Sequence, residues 1–453
     1  MLASITPRQL VLASLAVWCA CVGLVWWMAG PLGSDEAAYA LLANGDGDGW
    51  LYRPIGFVAF ARLGLFLGDS ELALRLPSAV IACGLIPAVF AVGSRLGPWV
   101  GAGAAAVIAG THTFVLRGPT LLTDVPSTIF MLAAIAIVII ELERGGGPSY
   151  RLAAVAPVLA ASFYVRYGSA PTIAIVIVAA CAVWRRAIFE RPGPVLVTAG
   201  LFVALLVPFF VYSHQMTGSV TGILTLASEV AGRKYIGHGL VIYLAYAPYL
   251  YHGVLATPVV LVGLASVARP PPQRRCARFL ALVAIGQLLA ISLVSHASAR
   301  FLFVAIVLLV ALGVDAIARM IAARSERRTL AIRIAAWTIL LAWVGMLVAT
   351  VPILDSQRRG LAGLVISAHA IRADAAGRPC TVIARATPQI MWYSGCASIK
   401  PGRGIEELPP LPAGYRVYVA SVPRRSIDAD KVAALAGAEA VPLAPGAWFL
   451  RMR

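Results

Sequence analysis

Residues 10–39 read LVLASLAVWCACVGLVWWMAGPLGSDEAAY. More than 20 residues run without a charge, and then Asp35 and Glu36 stand side by side. A membrane-crossing helix needs about 20 predominantly apolar residues. No small-x-small cleavage site closes this run and further apolar runs follow, so it is read as an anchor rather than a removable signal peptide.

The rest of the chain repeats the pattern. Of its 453 residues, 60% are hydrophobic and 13% charged, and the mean hydropathy is +0.85. Soluble domains carry about 25% charged residues; a chain this poor in charge must be solvated largely by lipid. Ten further apolar runs begin near residues 73, 98, 125, 152, 168, 194, 245, 278, 300 and 330. The expectation is an all-α polytopic bundle of about 11 transmembrane helices over residues 1–351, the fifth and sixth forming a tight hairpin. Residues 352–453 contain no further span and are expected to form a small α/β domain outside the membrane. Helix is expected there over 366–376 and 428–435, with Ser426 or Asp428 as a cap, and strand over 381–386, 416–422 and 447–453.

The net charge is +17, from 37 Lys and Arg against 20 Asp and Glu. Its placement excludes a nucleic-acid face, because the arginines fall in short loops between apolar runs: Arg95; Arg144 and Arg151; Arg185, Arg186 and Arg191; Arg269, Arg274, Arg275 and Arg278; Arg319, Arg324, Arg327, Arg328 and Arg333. Short loops rich in Lys and Arg face the cytoplasm. That orientation puts the N-terminus inside and, with eleven spans, the C-terminal domain outside, in a multi-pass inner-membrane protein. Residues 55–67, apolar but too short to span and preceded by Pro54, read as a helix lying in the outer interface.

The outer loops then collect carboxylates and arginines. Asp35 and Glu36 follow the first span, where they either cap a helix or provide a general base at the bilayer surface. Asp124, in the stretch Thr123-Asp124-Val125-Pro126, is either an N-cap or an acid with a function, as ionisable groups close to a membrane often are. Arg166 and Arg300 either snorkel to headgroups or grip a phosphate with paired hydrogen bonds. His296 lies four residues before Arg300 and is open to the same two readings, structural or functional. Of the seven cysteines, Cys380 and Cys396 share a polar segment and could form a disulfide in an oxidising compartment.

Taken in order, the motifs resemble a known family. Ser34-Asp35-Glu36-Ala37-Ala38-Tyr39 resembles the "DE-x-x-Y" opening of GT-C-fold membrane glycosyltransferases. Arg53-Pro54-Ile55-Gly56 is similar to their "PP-x-G/P-L" stretch, and Leu74-Arg75-Leu76-Pro77-Ser78 to their "RLPSAL" entry to the second span. Leu122-Thr123-Asp124-Val125-Pro126 matches "L-x-T-D-x-P", and His296 to Phe301 resembles the late "H-x-x-x-R-Y" element. The resemblance covers most of residues 1–350 and points to the protein O-mannosyltransferase and aminoarabinose-transferase branch.

What the resemblance implies is a transferase that moves a sugar from a polyprenyl-phosphate carrier to an acceptor hydroxyl on an envelope glycolipid, glycan or protein. Asp35 is then the base, Glu36 and Asp124 are supporting acids, and Arg300, Arg166 and His296 hold the donor phosphate. Arg166 stands where many relatives have Lys, which keeps the charge and changes the geometry. Some relatives use a divalent metal and others do not, and the three acids suit either. The rival readings are a transporter or flippase for a lipid-linked saccharide, which would need polar groups at mid-membrane and broken helices, and an assembly partner needing no chemistry at Asp35.

Overall fold

The computed structural model describes the chain except for residues 1–4, 47–51, 145–146, 231–236, 246–247, 268–273, 295–297, 324–327, 402–413, 422–425 and 453. Among the described residues, seven helices are long and apolar enough to cross a membrane. They are Pro7–Met28, Glu71–Gly93, Asp124–Leu142, Pro192–Thr217, Arg275–Leu293, Arg300–Ala322 and a segment of Ile332–Ala375. Each coincides with an apolar run read from the sequence. The other four expected spans fall on shorter apolar helices: Pro98–Ala109, Tyr150–Val165, Tyr167–Val183 and Leu255–Val267. This is a multi-pass membrane protein, with seven full-length candidate spans rather than a demonstrated eleven. The short apolar segment after Pro54 is helical over Ile55–Leu67.

The chain forms two compact units. One comprises residues 1–26, 51–57 and 76–350, the other residues 27–50, 58–75 and 351–453. The second unit therefore takes in two N-terminal segments that a linear division at residue 351 assigns to the membrane domain.

In the first unit the helices Leu85–Gly93 and Pro98–Ala109 approach closely. A Cβ on Gly93 would lie 2.8 Å from Gly101 Cα, and a Cβ on Gly101 2.7 Å from Ser94 N. Small residues that let helix backbones meet are a regular means of packing in lipid, where hydrophobic burial supplies no force between helices. Pro208 interrupts the helix Pro192–Thr217. Tyr164 repairs the ladder: its hydroxyl accepts from Phe209 N at 3.2 Å and donates to Leu205 O at 2.8 Å. An inserted side chain of this kind is an identifiable cause of helix bending.

In the second unit a five-stranded sheet is built from β1 (Cys380–Ala384), β2 (Ala397–Ile399), β3 (Arg416–Ala420), β4 (Ala438–Ala444) and β5 (Ala447–Met452), in the order β2-β1-β3-β5-β4. The β2, β1 and β3 strands run parallel, and β5 and β4 are antiparallel additions. Every residue of β1 is buried, as a strand covered on both faces requires. On one face Leu32, Ala37 and Leu74 from the N-terminal segments share a core with Ile371, Val382 and Tyr418. On the other, Ile383 and Val419 pack with Val432 of the helix Ala429–Leu435. Asp428 caps that helix by accepting from Lys431 N at 3.1 Å. Cys380 and Cys396 are joined by a disulfide, their Cα atoms 5.0 Å apart.

Three differences from the sequence reading have physical causes. The helix expected over 366–376 is the end of a continuous helix, Arg328–Ala375; the apolar pattern stops near Asp355 but good helix formers continue, and helix propensity does not depend on the hydrophobic face. A helix over Thr387–Ser394 carries Pro at its start, where proline is tolerated. Strands β2 and β4 went unread because they are the two edges of the sheet: one is three residues long and the other contains Pro442. Short strands and proline are usual at edges.

Candidate functional site

Asp124 is the first residue of the helix Asp124–Leu142. The N-cap is Thr123, which makes no side-chain cap bond, so the carboxylate of Asp124 is not a cap but faces the bundle. It is 3% exposed and forms an ion pair with Arg166; Arg300 Nη1 approaches its second oxygen at 3.8 Å. A buried carboxylate is costly unless paired, and here two cations surround one anion.

Each member of this cluster is held by its own local structure. Arg166 occupies an extended position between the helices Val155–Val165 and Ala170–Val183, the tip of the hairpin. Ser127 and Ser162 hydroxyls meet at 3.1 Å and bind the Asp124 helix to the helix before Arg166. Arg300 sits in a short 3-10 turn, Ala299–Leu302. The amide of Gln287 accepts from Ala305 N at 2.6 Å and donates to Phe301 O at 3.4 Å. The hydroxyl of Tyr243 fixes the other end of the turn, accepting from Ser298 N and donating to Ser298 O, both at 2.8 Å. The Phe301 ring lies beneath both guanidinium groups, 4.9 Å from Arg166 and 5.5 Å from Arg300, and the ring face attracts cations. Thus Gln287, a polar residue within an apolar run, helps shape this turn. A cleft lined by Asp124, Arg166, Gly168, Gln287, Arg300 and Phe301 has a volume of about 20 Å³. It has room for a single water.

The second unit holds the other acids. Asp35 and Glu36 stand in the first turn of the helix Ser34–Asn44, an element the sequence reading did not assign. Its signals were present: acids in the first turn and Gly45 in the left-handed conformation at the end (φ 94°), where glycine is the usual residue. Glu36 is buried and grips Arg75 in a two-point bond, Arg75 Nε to Oε1 at 2.7 Å and Nη2 to Oε2 at 2.8 Å. Glu36 also accepts from Gly33 N at 2.8 Å. Arg75 donates as well to Gly30 O at 2.7 Å and Pro31 O at 3.3 Å, which pins the turn leading into the helix. Nearby, the Tyr393 hydroxyl accepts from Leu32 N at 2.7 Å and donates to Glu71 at 3.0 Å. Burial pushes the Tyr393 pKa well up, so the hydroxyl keeps its proton and remains a donor. Asp35, one position before Glu36, is half-buried.

The structure thus brings Asp124, Arg166 and Arg300 together in one unit and sets Asp35 and Glu36 on one helical turn in the other. His296 lies outside the described residues. Sequence reading missed Arg75, Glu71 and Tyr393. Arg75 is 39 residues from Glu36 and Tyr393 is 322 from Glu71; only the unmatched buried charge of Glu36 could have signalled a partner. Among the described residues, no group of three or more His, Cys, Asp or Glu is placed to hold a metal ion.

A model of the family described as dolichyl-phosphate-mannose-protein mannosyltransferase matches residues 52–212. No curated protein matches the chain. Among solved structures, ArnT from Cupriavidus metallidurans bound to undecaprenyl phosphate aligns with a TM-score of 0.72 at 15% identity, covering 98% of this chain and 97% of that one. The oligosaccharyltransferase of Archaeoglobus fulgidus, in complex with zinc and sulfate, aligns with a TM-score of 0.56 at 14% identity, over 86% of this chain and 62% of that one. The oligosaccharyltransferase AglB from Archaeoglobus fulgidus, in complex with an inhibitory peptide and a dolichol-phosphate, aligns with a TM-score of 0.54 at 12% identity, over 87% of this chain and 64% of that one. The fold defines the class: a multi-pass membrane protein with the GT-C architecture. ArnT matches it from end to end, including the small C-terminal domain, whereas the archaeal protein extends well beyond it.

Proposed function

We propose that the chain is a glycosyltransferase that moves a sugar from a polyprenyl-phosphate donor to an acceptor hydroxyl at the outer face of the inner membrane. The observation that carries this reading is the convergence of two arginines on the buried carboxylate of Asp124. Two arginines face one carboxylate over an aromatic ring, in a chain whose fold is that of a protein solved with undecaprenyl phosphate. Arg166 and Arg300, both still partly exposed, are assigned the donor phosphate at the rim of this water-sized cleft, with Asp124 holding their guanidinium planes in place.

In this reading Asp35 is the base. The acceptor oxygen bonds to C1 of the sugar as its proton passes to the Asp35 carboxylate. The bond from C1 to the phosphate oxygen breaks, and its electron pair leaves with the polyprenyl phosphate. Donors aimed at that developing charge accelerate departure, so a phosphate leaving group needs no strong acid. One displacement inverts the configuration at C1, by analogy with single-displacement glycoside chemistry. Glu36 is assigned no proton transfer, because Arg75 engages both of its oxygens; its role is to fix the turn that presents Asp35.

The test is a transfer assay with the full-length protein, a panel of polyprenyl-phosphate sugars and extracted envelope acceptors. Wild-type transfer that collapses in a folded Asp35→Asn variant supports the assignment and identifies the donor. Transfer that survives in Asp35→Asn removes Asp35 as the base.

A further inference from the structure

A second cation-rich site lies in the membrane unit, at the other end of the helix that begins with Asp124. That helix ends at Leu142, about 28 Å away at 1.5 Å per residue. Around this end is a cavity of about 870 Å³, lined by Arg95, Arg144, Arg186, Arg191, Arg274 and Arg275, with the acids Glu143 and Glu190. Six arginines against two glutamates leave an excess of four positive charges on the lining.

The positive-inside rule explains why arginines lie at this end of the bundle. It does not explain why arginines from four separate connections converge on one concavity, since like charges in exposed loops repel. Some are satisfied internally: Arg144 pairs with Glu141 at 3.2 Å, Arg186 with Glu190 at 2.6 Å and Arg274 with Asp315 at 2.8 Å. Among the described residues Arg95, Arg191 and Arg275 form no ion pair within 4 Å. Trp184, 1% exposed, forms part of the lining, and its indole Nε1 has no hydrogen-bond partner. A buried donor without a partner is unusual, and here it accompanies arginines with no ion pair within 4 Å, Arg95 and Arg275 facing the more distant Glu143, around a space of ligand size. Guanidinium groups in such numbers suit phosphate, which they bind with paired hydrogen bonds.

We propose that this cavity binds a ligand carrying two phosphate groups, either a membrane lipid headgroup or a soluble diphosphate. The site is distinct from the Asp124 cluster, and the proposal does not depend on the transfer reaction.

The experiment uses the full-length protein in detergent. Cardiolipin and, separately, phosphatidylcholine are titrated by native mass spectrometry, and pyrophosphate by calorimetry. Binding is compared between wild type, Arg95→Gln/Arg191→Gln, and Arg151→Gln/Arg333→Gln. The last pair removes the same charge from arginines assigned to the same face that do not line the cavity. Both variants replace side chains with no ion pair in the structure, and their melting curves check the fold. Loss of two charge-assisted contacts weakens binding about tenfold or more. Preference for cardiolipin over phosphatidylcholine, weakened to that extent only by Arg95→Gln/Arg191→Gln, supports a lipid ligand; the same pattern with pyrophosphate supports a soluble one. Absence of saturable binding by either, or equal weakening by the two variants, overturns the proposal.

Discussion

Glu36 and Asp124 are both buried carboxylates that meet arginine inside their own unit, yet the two pairings have opposite character. Glu36 meets one arginine in a closed two-point bond, with the Arg75 side chain 3% and the Glu36 side chain 8% exposed. Arg75 spends its remaining donors on the carbonyls of Gly30 and Pro31. Asp124 faces two arginines, 17% and 23% exposed, one of them at 3.8 Å. Burial alone therefore does not mark function. The number of arginines that meet the carboxylate and their remaining exposure distinguish an ion pair that shapes backbone from one still open to solvent.

The sharpest break between the two regions is catalytic. Asp35→Asn should lower the transfer rate by about 10²- to 10⁴-fold, the usual contribution of a positioned base, with the melting curve unchanged. A rate within a few fold of wild type would move the base elsewhere. Next in size is Arg75→Ala, which strands the Glu36 charge and should cost about 3–5 kcal/mol of stability, read from unfolding in detergent. Glu36→Leu/Arg75→Met, which removes both charges, should recover much of that loss; if it does not, the pair has a role beyond satisfying itself. The smallest effect belongs to the Asp124 cluster. Arg300→Gln should raise the donor KM about 10- to 100-fold, matching the loss of one charged hydrogen bond of about 1.5–3 kcal/mol, while stability falls little because Arg166 still pairs with Asp124. Destabilisation as large as that of Arg75→Ala would make the two clusters alike and end the comparison.

The sequence carried the membrane helices because their signal is composition over 20 residues, which neighbours cannot obscure. It carried Asp124, Arg166 and Arg300 because a charge at the end of an apolar run is conspicuous. It did not carry the pairing of Glu36 with Arg75 or of Tyr393 with Glu71, since contacts across 39 and 322 residues leave no local pattern. Nor did it carry β2 and β4, whose edge positions free them from the apolar alternation that identifies β1 and β3. The division into units follows the same logic: Leu32, Ala37 and Leu74 look like the ends of membrane segments but bury themselves against the sheet.

The bond between Cys380 and Cys396 has a consequence for biosynthesis. It anchors the three-residue strand β2 beside β1, and too few backbone bonds hold so short a strand alone. Disulfides persist only in oxidising compartments. The ribosome releases residues 380–396 only after the apolar helices before them, so this bond can close only late in synthesis. Closure of the bond therefore reports the compartment this unit reaches, and alkylation of the free thiols in pulse-labelled cells should show Cys380 and Cys396 reactive in newly made chains and protected in mature ones.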